Sequence, residues 1–182
     1  MILTAKKIEQ EMHVSNIIIQ PFYKHFLEPN SYGFHLNSKL IIYDTDYIDS
    51  KKKPPEKEIT IPPEGYCLQN GKFYMGSTIE TIGSYKYVST LYANRSTASL
   101  GMWIQFSAPL GHTGAVIPWT LEINVAHDII VYPGMLIGKI AFWDVQGDYL
   151  TYNGKYIDST DVVSSKLADE MNEEHKCDFN RK

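Results

Sequence analysis

The sequence predicts an all-β domain, a distorted β-barrel or jelly roll with a short helix at each end. From Ile17 onward, β-branched and aromatic runs alternate with Pro, Gly and Asn, which is typical of a many-stranded β domain. These runs are short and closely spaced, and no helical crossover pattern separates them, which disfavours a parallel α/β sheet. With 182 residues, 43% of them apolar, the chain can bury one substantial core.

The first element is a predicted N-terminal helix. Thr4 has the residue type of an N-cap, and Ile8 and Met12 fall on one helical face. Glu9 and Glu11 are expected to point outward into solvent.

The predicted strands follow this helix. They span residues 39–43, 58–61, 66–68, 73–79, 87–92, 102–107, 115–125, 128–132 and 136–143. The charged, proline-broken run 51–57 predicts an exposed loop, in preference to a phosphate-binding group of lysines.

The chain ends in a predicted second helix and a polar tail. Thr160 is the expected cap of the helix, whose apolar stripe contains Val162, Val163, Leu167 and Met171. We therefore predict a single β domain over residues 1–173 and a tail over 174–182.

Charge and cysteine content exclude several classes of function. A net charge of −4 offers no basic field for a nucleic acid polymer, so an anionic ligand must be held by a few local cations and amides. Cys67 and Cys177 lie far apart without metal-ligand spacing, which favours a reduced, cytoplasmic setting. The first twelve residues are charged, and the sequence contains no long apolar run. We therefore predict that the chain is neither secreted nor inserted into a membrane.

Segment 94–101 is the first candidate binding site. Arg95, Ser96 and Thr97 directly follow a predicted strand, where a bend would direct amides, hydroxyls and a guanidinium toward a phosphate. The alternative is a turn in which the hydroxyls satisfy local backbone groups and Arg95 pairs with a carboxylate.

Glu122 is the candidate catalytic group. Strand alternation places Thr120 and Glu122 opposite Leu121 and Ile123, so the carboxylate projects from one face of a buried sheet. Desolvation there would favour a general base that works near neutral pH. The residues equally allow a rim carboxylate paired with a lysine.

Segment 152–156 is a further candidate binding site. Its two tyrosines and Lys155 could cover a base and contact a phosphate, whereas the simpler interpretation is a surface hairpin. His112 is interpreted as a loop histidine. The His and paired-Cys spacing of zinc deaminases is absent from the sequence, so we predict chemistry without zinc.

Taken in order, these segments resemble the dCTP deaminase family, which includes bifunctional dCTP deaminase-dUTPases. Residues 3–8, 19–22 and 28–31 resemble the family's opening helix, turn and first core strand, and 61–65 and 77–82 follow in the expected places. The remaining matches are Arg95-Ser96-Thr97, Thr120-Leu121-Glu122-Ile123, the turn 133–138, and Tyr152 with Gly154-Lys155-Tyr156.

The resemblance implies a dUTPase-like barrel that forms a homotrimer, with active sites shared between subunits and Mg²⁺ bound through the nucleotide phosphates. In that scheme Glu122 activates water for attack at C4 of cytosine, and Ser96 helps to position this water. The implied contacts of the deoxynucleotide are Arg95, Thr97, Ser99, Ser107, Ala108, Tyr152, Lys155 and Tyr156.

The chain departs from the family pattern around the expected site. Ala98 and Ser99 stand where a second arginine usually precedes Leu-Gly, and the loop 109–114 is short and lacks the usual aspartate. The missing carboxylate argues against dUTPase activity. Gly33, His35 and Ser159 replace Asp, Arg and Gln respectively.

These departures leave three interpretations of the function. The chain is an active dCTP deaminase that keeps Glu122 and Ser96, with His112 or His35 compensating for lost cations. Alternatively, it binds nucleotide in a regulatory role without turnover, or it acts on a modified or less phosphorylated cytosine nucleotide.

Overall fold

The computed structural model describes residues 1–174 and is mainly β-sheet. The strands are β1 (Ile17–Gln20), β2 (Leu27–Glu28), β3 (Ser31–His35), β4 (Lys39–Tyr43), β5 (Glu56–Thr60), β6 (Tyr66–Leu68), β7 (Tyr74–Ser84), β8 (Val88–Ala93), β9 (Met102–Trp103), β10 (Leu110–Gly111), β11 (Val116–Val125), β12 (Ile129–Val131) and β13 (Leu136–Trp143). The helices are α1 (Ala5–His13), α2 (Arg95–Ser99) and α3 (Leu167–Glu174).

The strands pair into two large sheets and a small one. The first has the order β5-β4-β7-β11-β9, with β1 also paired to β7, and the second has the order β10-β8-β13-β3-β2. Strands β12 and β6 form the small sheet. The all-β prediction is confirmed, and the pairing does not close into a complete barrel over residues 1–174.

The core lies where the two large sheets meet. Its largest fully buried side chains include Tyr32, Phe34, Tyr74 and Phe142, which come from both sheets. Burying an apolar side chain of this kind stabilises a fold by about 1.5–3 kcal/mol relative to leaving it exposed. This core fixes the long strands β7 and β11, which carry much of the candidate site.

The N-terminal helix forms as predicted, with one difference. The side chain of Thr4 accepts a hydrogen bond from the backbone N–H of Lys7, and Ile8 is buried. The expectation that Glu11 points into solvent is wrong, since the residue is only 5% exposed. Its carboxylate forms ion pairs with Lys7 at 2.6 Å and Lys86 at 3.7 Å, so these cations, together with a hydrogen bond from Asn16, compensate for burial.

The predicted C-terminal helix begins too early. Helix α3 starts at Leu167, and Thr160 is not its cap. The preceding residues instead extend along the first sheet, where the N–H of Val163 donates to the hydroxyl of Thr120 at 3.0 Å. This hydrogen bond and the burial of Val162 outweigh the helical apolar pattern. Residues 175–182 of the predicted tail, including Cys177, lie outside the described residues.

Most other predicted strands are found with small changes at their ends. Strands β4, β6 and β13 have the predicted bounds, whereas the predicted strand 102–107 is regular only over Met102–Trp103. Its remaining residues bend toward the candidate site. Within residues 1–174, no helix has the length and apolar character needed to cross a bilayer.

Candidate active site

Glu122 lies near the middle of β11 and is half-buried. Its Oε2 accepts hydrogen bonds from the backbone N–H groups of Phe106 at 3.1 Å and Ser107 at 3.4 Å. Both amides belong to the bend that follows β9, which explains why that strand ends early. One carboxylate oxygen is thus held by the backbone, while Oε1 accepts no hydrogen bond from the side chains and backbone described here.

Alternation along β11 is confirmed around this carboxylate. Leu121 and Ile123 are fully buried in the core, whereas Thr120 and Glu122 lie on the other face. Across the sheet, Glu122 is paired with Met75 of β7. An apolar side chain therefore lies beside the candidate base.

A cavity of about 570 Å³ opens over this face of the sheet. Its walls are mainly apolar and aromatic, and Glu122 is the one carboxylate among its described lining residues. The lining residues are Tyr43, Phe73, Met75, Gln105, Ala108, Leu110, His112, Ala115, Ile117, Trp119, Thr120, Glu122, Tyr152, Tyr156, Ser159, Val163, Ser164 and Ser165. Such a cavity, with a few polar groups on apolar walls, is typical of a small-molecule site.

An irregularity in β11 brings more side chains to the cavity than alternation predicts. Strict alternation would place Ile117 and Trp119 on the face opposite Thr120 and Glu122. All four line the cavity, and the pairing register with β7 shifts between Pro118 and Thr120. We attribute the shared wall to this bulge, which turns the strand locally.

Residues 150–166, here called the covering segment, form the outer wall. Asp161 anchors it to the sheet by accepting hydrogen bonds from Ser77 at 2.9 Å and Asn37 at 3.3 Å and by pairing with Lys39 at 3.3 Å. Burial tends to raise the pKa of Asp161, but the N–H of Val162, the Ser77 hydroxyl and Lys39 together hold it below its usual value. The anchor is therefore a charged carboxylate near neutral pH.

Tyr152 docks the start of the covering segment against the loop 109–114. Its ring stacks on His112, with centroids 5.6 Å apart, and its N–H donates to the carbonyl of Thr113 at 2.7 Å. Gly114 has φ +95°, and a Cβ there would lie 2.8 Å from the Tyr152 nitrogen. A residue without a side chain is thus required for this close approach.

Only some of the predicted binding residues of the covering segment line the cavity. Tyr152 and Tyr156 line the cavity, whereas Lys155 lies outside the lining and pairs with Glu170 of α3. Ala108 also lines the cavity, and Ser107 contributes its backbone N–H to Glu122. The structure thus brings the second and third sequence segments together.

The first segment lies elsewhere on the chain. Residues 95–99 form the short helix α2, where Arg95, Ser96 and Ser99 are exposed and Thr97 is only 4% exposed. No residue of α2 lines the cavity that contains Glu122. Within one copy of the chain, Ser96 therefore does not contribute to the wall around the candidate base.

Several wall residues were not singled out by the sequence. Phe73 and Met75 come from a strand already predicted, but no sequence pattern assigned them to a binding site. His112 was interpreted as a loop residue, yet it lines the cavity and stacks on Tyr152. Among the described residues, no three His, Cys, Asp or Glu side chains are grouped as a metal-binding cluster.

Comparison with known proteins identifies the family. A family model described as dCTP deaminase-like matches residues 2–145, which is most of the chain. The chain belongs to the dCTP deaminase-like family. Curated relatives agree: the dUMP-forming dCTP deaminases of Hathewaya histolytica and Clostridium beijerinckii are 39% and 40% identical over 168 residues, which span 92% of this chain and 97% and 96% of theirs.

A solved structure supports the fold. The 2'-deoxycytidine 5'-triphosphate deaminase from Agrobacterium tumefaciens superposes with a TM-score of 0.62 at 18% identity, over 78% of this chain and 46% of that chain. The family assignment makes this dCTP deaminase-like protein an enzyme. The names of the relatives also specify a product, dUMP, which lies beyond simple deamination.

Proposed function

We propose that this protein deaminates dCTP, with Glu122 as the general base. The observation that carries the proposal is a carboxylate held by two backbone N–H groups at the wall of a mainly apolar cavity. The family match and the names of relatives about 40% identical supply the substrate. A fixed orientation of the base is a feature that general-base catalysis requires.

The proposed reaction is hydrolytic. Glu122 takes a proton from water, the hydroxide oxygen adds to C4 of cytosine, and Glu122 passes the proton on to the ring N3. Collapse of this intermediate transfers the proton of the added hydroxyl to the amino nitrogen, breaks the bond from C4 to that nitrogen and releases ammonia. A uracil ring remains. Zinc is not part of this scheme, since the carboxylate and not a metal activates the water.

The proposed product is dUMP, as in the named relatives. Its formation requires a second hydrolysis, between the α and β phosphorus atoms, which releases pyrophosphate. The loop 109–114 contains no carboxylate for this step, so a group outside this loop would have to activate the second water. Equimolar ammonia and pyrophosphate would support dUMP as product, whereas ammonia without pyrophosphate would show that the reaction ends at dUTP.

We further propose a homotrimer in which α2 of one copy completes the cavity of another. Arg95 and Ser96 are exposed and lie outside their own copy's cavity. Beside α2, the apolar side chains of Leu100, Trp103 and Phe106 are 59%, 48% and 54% exposed. Exposed apolar groups of this size favour a protein contact. Mg²⁺ would accompany the triphosphate, whose oxygens are the ligands this ion prefers.

Glu122→Gln tests the proposed function. The amide retains size and one acceptor oxygen but cannot take a proton from water, so ammonia release from dCTP with Mg²⁺ should fall by about 10²- to 10⁴-fold. Thermal shift with dCTP checks that the variant still binds nucleotide. Full activity in the variant, or no turnover of any cytosine nucleotide by the wild type, would contradict the proposal; binding without turnover would favour a regulatory role.

A second candidate substrate is a less phosphorylated cytosine nucleotide. The observation in its favour is that no Lys or Arg lies among the cavity's described lining residues. Assaying dCTP, dCDP and dCMP side by side separates the candidates. A higher kcat/KM for dCMP than for dCTP would establish this alternative.

A further inference from the structure

We propose that Lys166, together with Lys155, binds the outer phosphates of the nucleotide at the mouth of the cavity. The inference rests on the proposed function, because it assigns the phosphate end of the same site. It adds a residue that the sequence motifs did not indicate.

The position of Lys166 follows from the residues around it. Ser165, its chain neighbour, and Tyr156, its spatial neighbour, both line the cavity. The backbone N–H of Lys166 donates to the Tyr156 hydroxyl at 3.1 Å, and its Nζ lies 5.2 Å from the centre of the same ring. The side chain therefore folds back over the ring of Tyr156, a residue of the cavity wall.

Lys155 places a second ammonium group at the same ring. Its Nζ lies 5.0 Å from the Tyr156 ring centre. The backbone carbonyl of Lys155 accepts a 2.6 Å hydrogen bond from Lys166 Nζ, which holds the Lys166 side chain against the backbone of Lys155. Two ammonium groups and one cavity-lining aromatic ring thus form a compact cationic group.

The two lysines differ in their partners. Lys155 is paired with Glu170, so part of its charge is already compensated. Lys166 forms no ion pair with a carboxylate among the described side chains, and its one acceptor is the neutral Lys155 carbonyl. An ammonium group has three donors, which leaves Lys166 able to bond phosphate oxygens.

The composition of the cavity walls explains why a cationic group beside Tyr156 could bind the phosphates. Its described walls contain no Lys or Arg, so within one copy of the chain the nearest counter-charges for a triphosphate are the two lysines beside Tyr156, in addition to the Arg95 that another copy would supply. The base and sugar would then occupy the apolar interior near Glu122, with the phosphates directed toward Tyr156 and the two lysines. This orientation matches the distribution of apolar and cationic groups.

Lys166→Met is the decisive variant, because it removes the charge and keeps an apolar stem. Equilibrium binding of dCTP with Mg²⁺, dCMP and deoxycytidine is measured for the wild type, Lys166→Met and Lys166→Arg. Lys6→Met is the matched control, since Lys6 is an exposed lysine of α1 and its loss changes the net charge equally.

We expect Lys166→Met to weaken dCTP binding by roughly tenfold or more and to leave deoxycytidine binding unchanged, with KM raised more than kcat is lowered. Lys166→Arg should restore most of the affinity, and Lys6→Met should resemble the wild type. Unchanged dCTP binding, or equal weakening for deoxycytidine, would overturn the assignment. Wild-type binding without ammonia release would refute the proposed function while still allowing this test, whereas no nucleotide binding at all would refute both.

Discussion

The backbone N–H of Trp119 donates a 2.9 Å hydrogen bond to the side-chain oxygen of Thr78, which lies on the neighbouring strand β7. The bond is made at the point where the pairing of β11 with β7 changes register. Thr78 is fully buried and its hydroxyl donates in turn to the carbonyl of Glu80 at 2.7 Å. One hydroxyl thus satisfies two backbone groups at the bulge that leads to Glu122.

Thr78→Val should destabilise the protein and reduce activity. The substitution keeps the shape but leaves the Trp119 N–H unpaired, which costs about 1–3 kcal/mol in free energy of unfolding. Urea denaturation measures that loss, and ammonia release measures any displacement of Glu122. Thr78→Ser retains the hydroxyl and serves as the control; if Thr78→Val were as stable as this control, the bulge would not depend on the bond.

Asp161→Ala should loosen the covering segment. Loss of the bonds to Ser77, Asn37 and Lys39 frees the wall that contains Ser159 and 163–165, so KM for nucleotide should rise by roughly tenfold, with a smaller effect on kcat. Hydrogen exchange in residues 150–166 should accelerate.

Asp158 provides the matched control for this prediction. It is an exposed aspartate of the same segment, and Asp158→Ala should leave both KM and hydrogen exchange unchanged. Equal behaviour of the two variants would show that Asp161 does not hold the segment in place.

Trimers assembled from a mixture of two inactive variants should recover activity that neither variant has alone. If α2 completes a cavity in a second copy, Glu122→Gln and Ser96→Ala chains that are refolded together contain some sites with both residues intact. Random mixing in equal amounts should restore up to about a quarter of wild-type activity, because each half of a site is intact in half of the copies. Sedimentation checks for the trimer, and an inactive mixture with intact trimers would place each complete site within one chain.

Glu11 should make stability depend on pH in the acidic range. The hydrogen bond from Lys7 lowers the pKa of Glu11 to about 2, with further help from Asn16 and Lys86 against the opposing effect of burial. Since the folded pKa lies below the unfolded one, the stabilisation is present above about pH 4.5 and is lost as the pH falls toward 2.

The expected contribution of Glu11 to the free energy of unfolding is modest. The full shift would correspond to about 3 kcal/mol, and solvent screening of the exposed lysines reduces this to roughly 1–2 kcal/mol. Urea unfolding of the wild type and of Glu11→Gln, each at pH 7 and near pH 2, measures this contribution to the free energy of unfolding. The difference between the two proteins should be largest at pH 7 and should shrink near pH 2; a difference independent of pH would show that the charge of Glu11 is not responsible.

The sequence predicted most strands because their local patterns agree with their tertiary environment. Strands β4, β6 and β13 have the predicted bounds, and the alternation around Glu122 correctly separates core from cavity side chains. The prediction failed where a contact distant in sequence overrides local pattern. Thr120 binds Val163 and keeps it from the predicted helix, and Lys86 helps to bury Glu11.

The sequence by itself determined the all-β class, the N-terminal helix and the orientation of Glu122 on its strand, since these depend on periodicity and capping between near neighbours. Only the tertiary structure decided which residues surround that carboxylate. Ile117 and Trp119 join the cavity wall at a change of register, and the covering segment reaches it through Asp161. Strand register and long-range hydrogen bonds join residues far apart in the chain, and no local pattern encodes them.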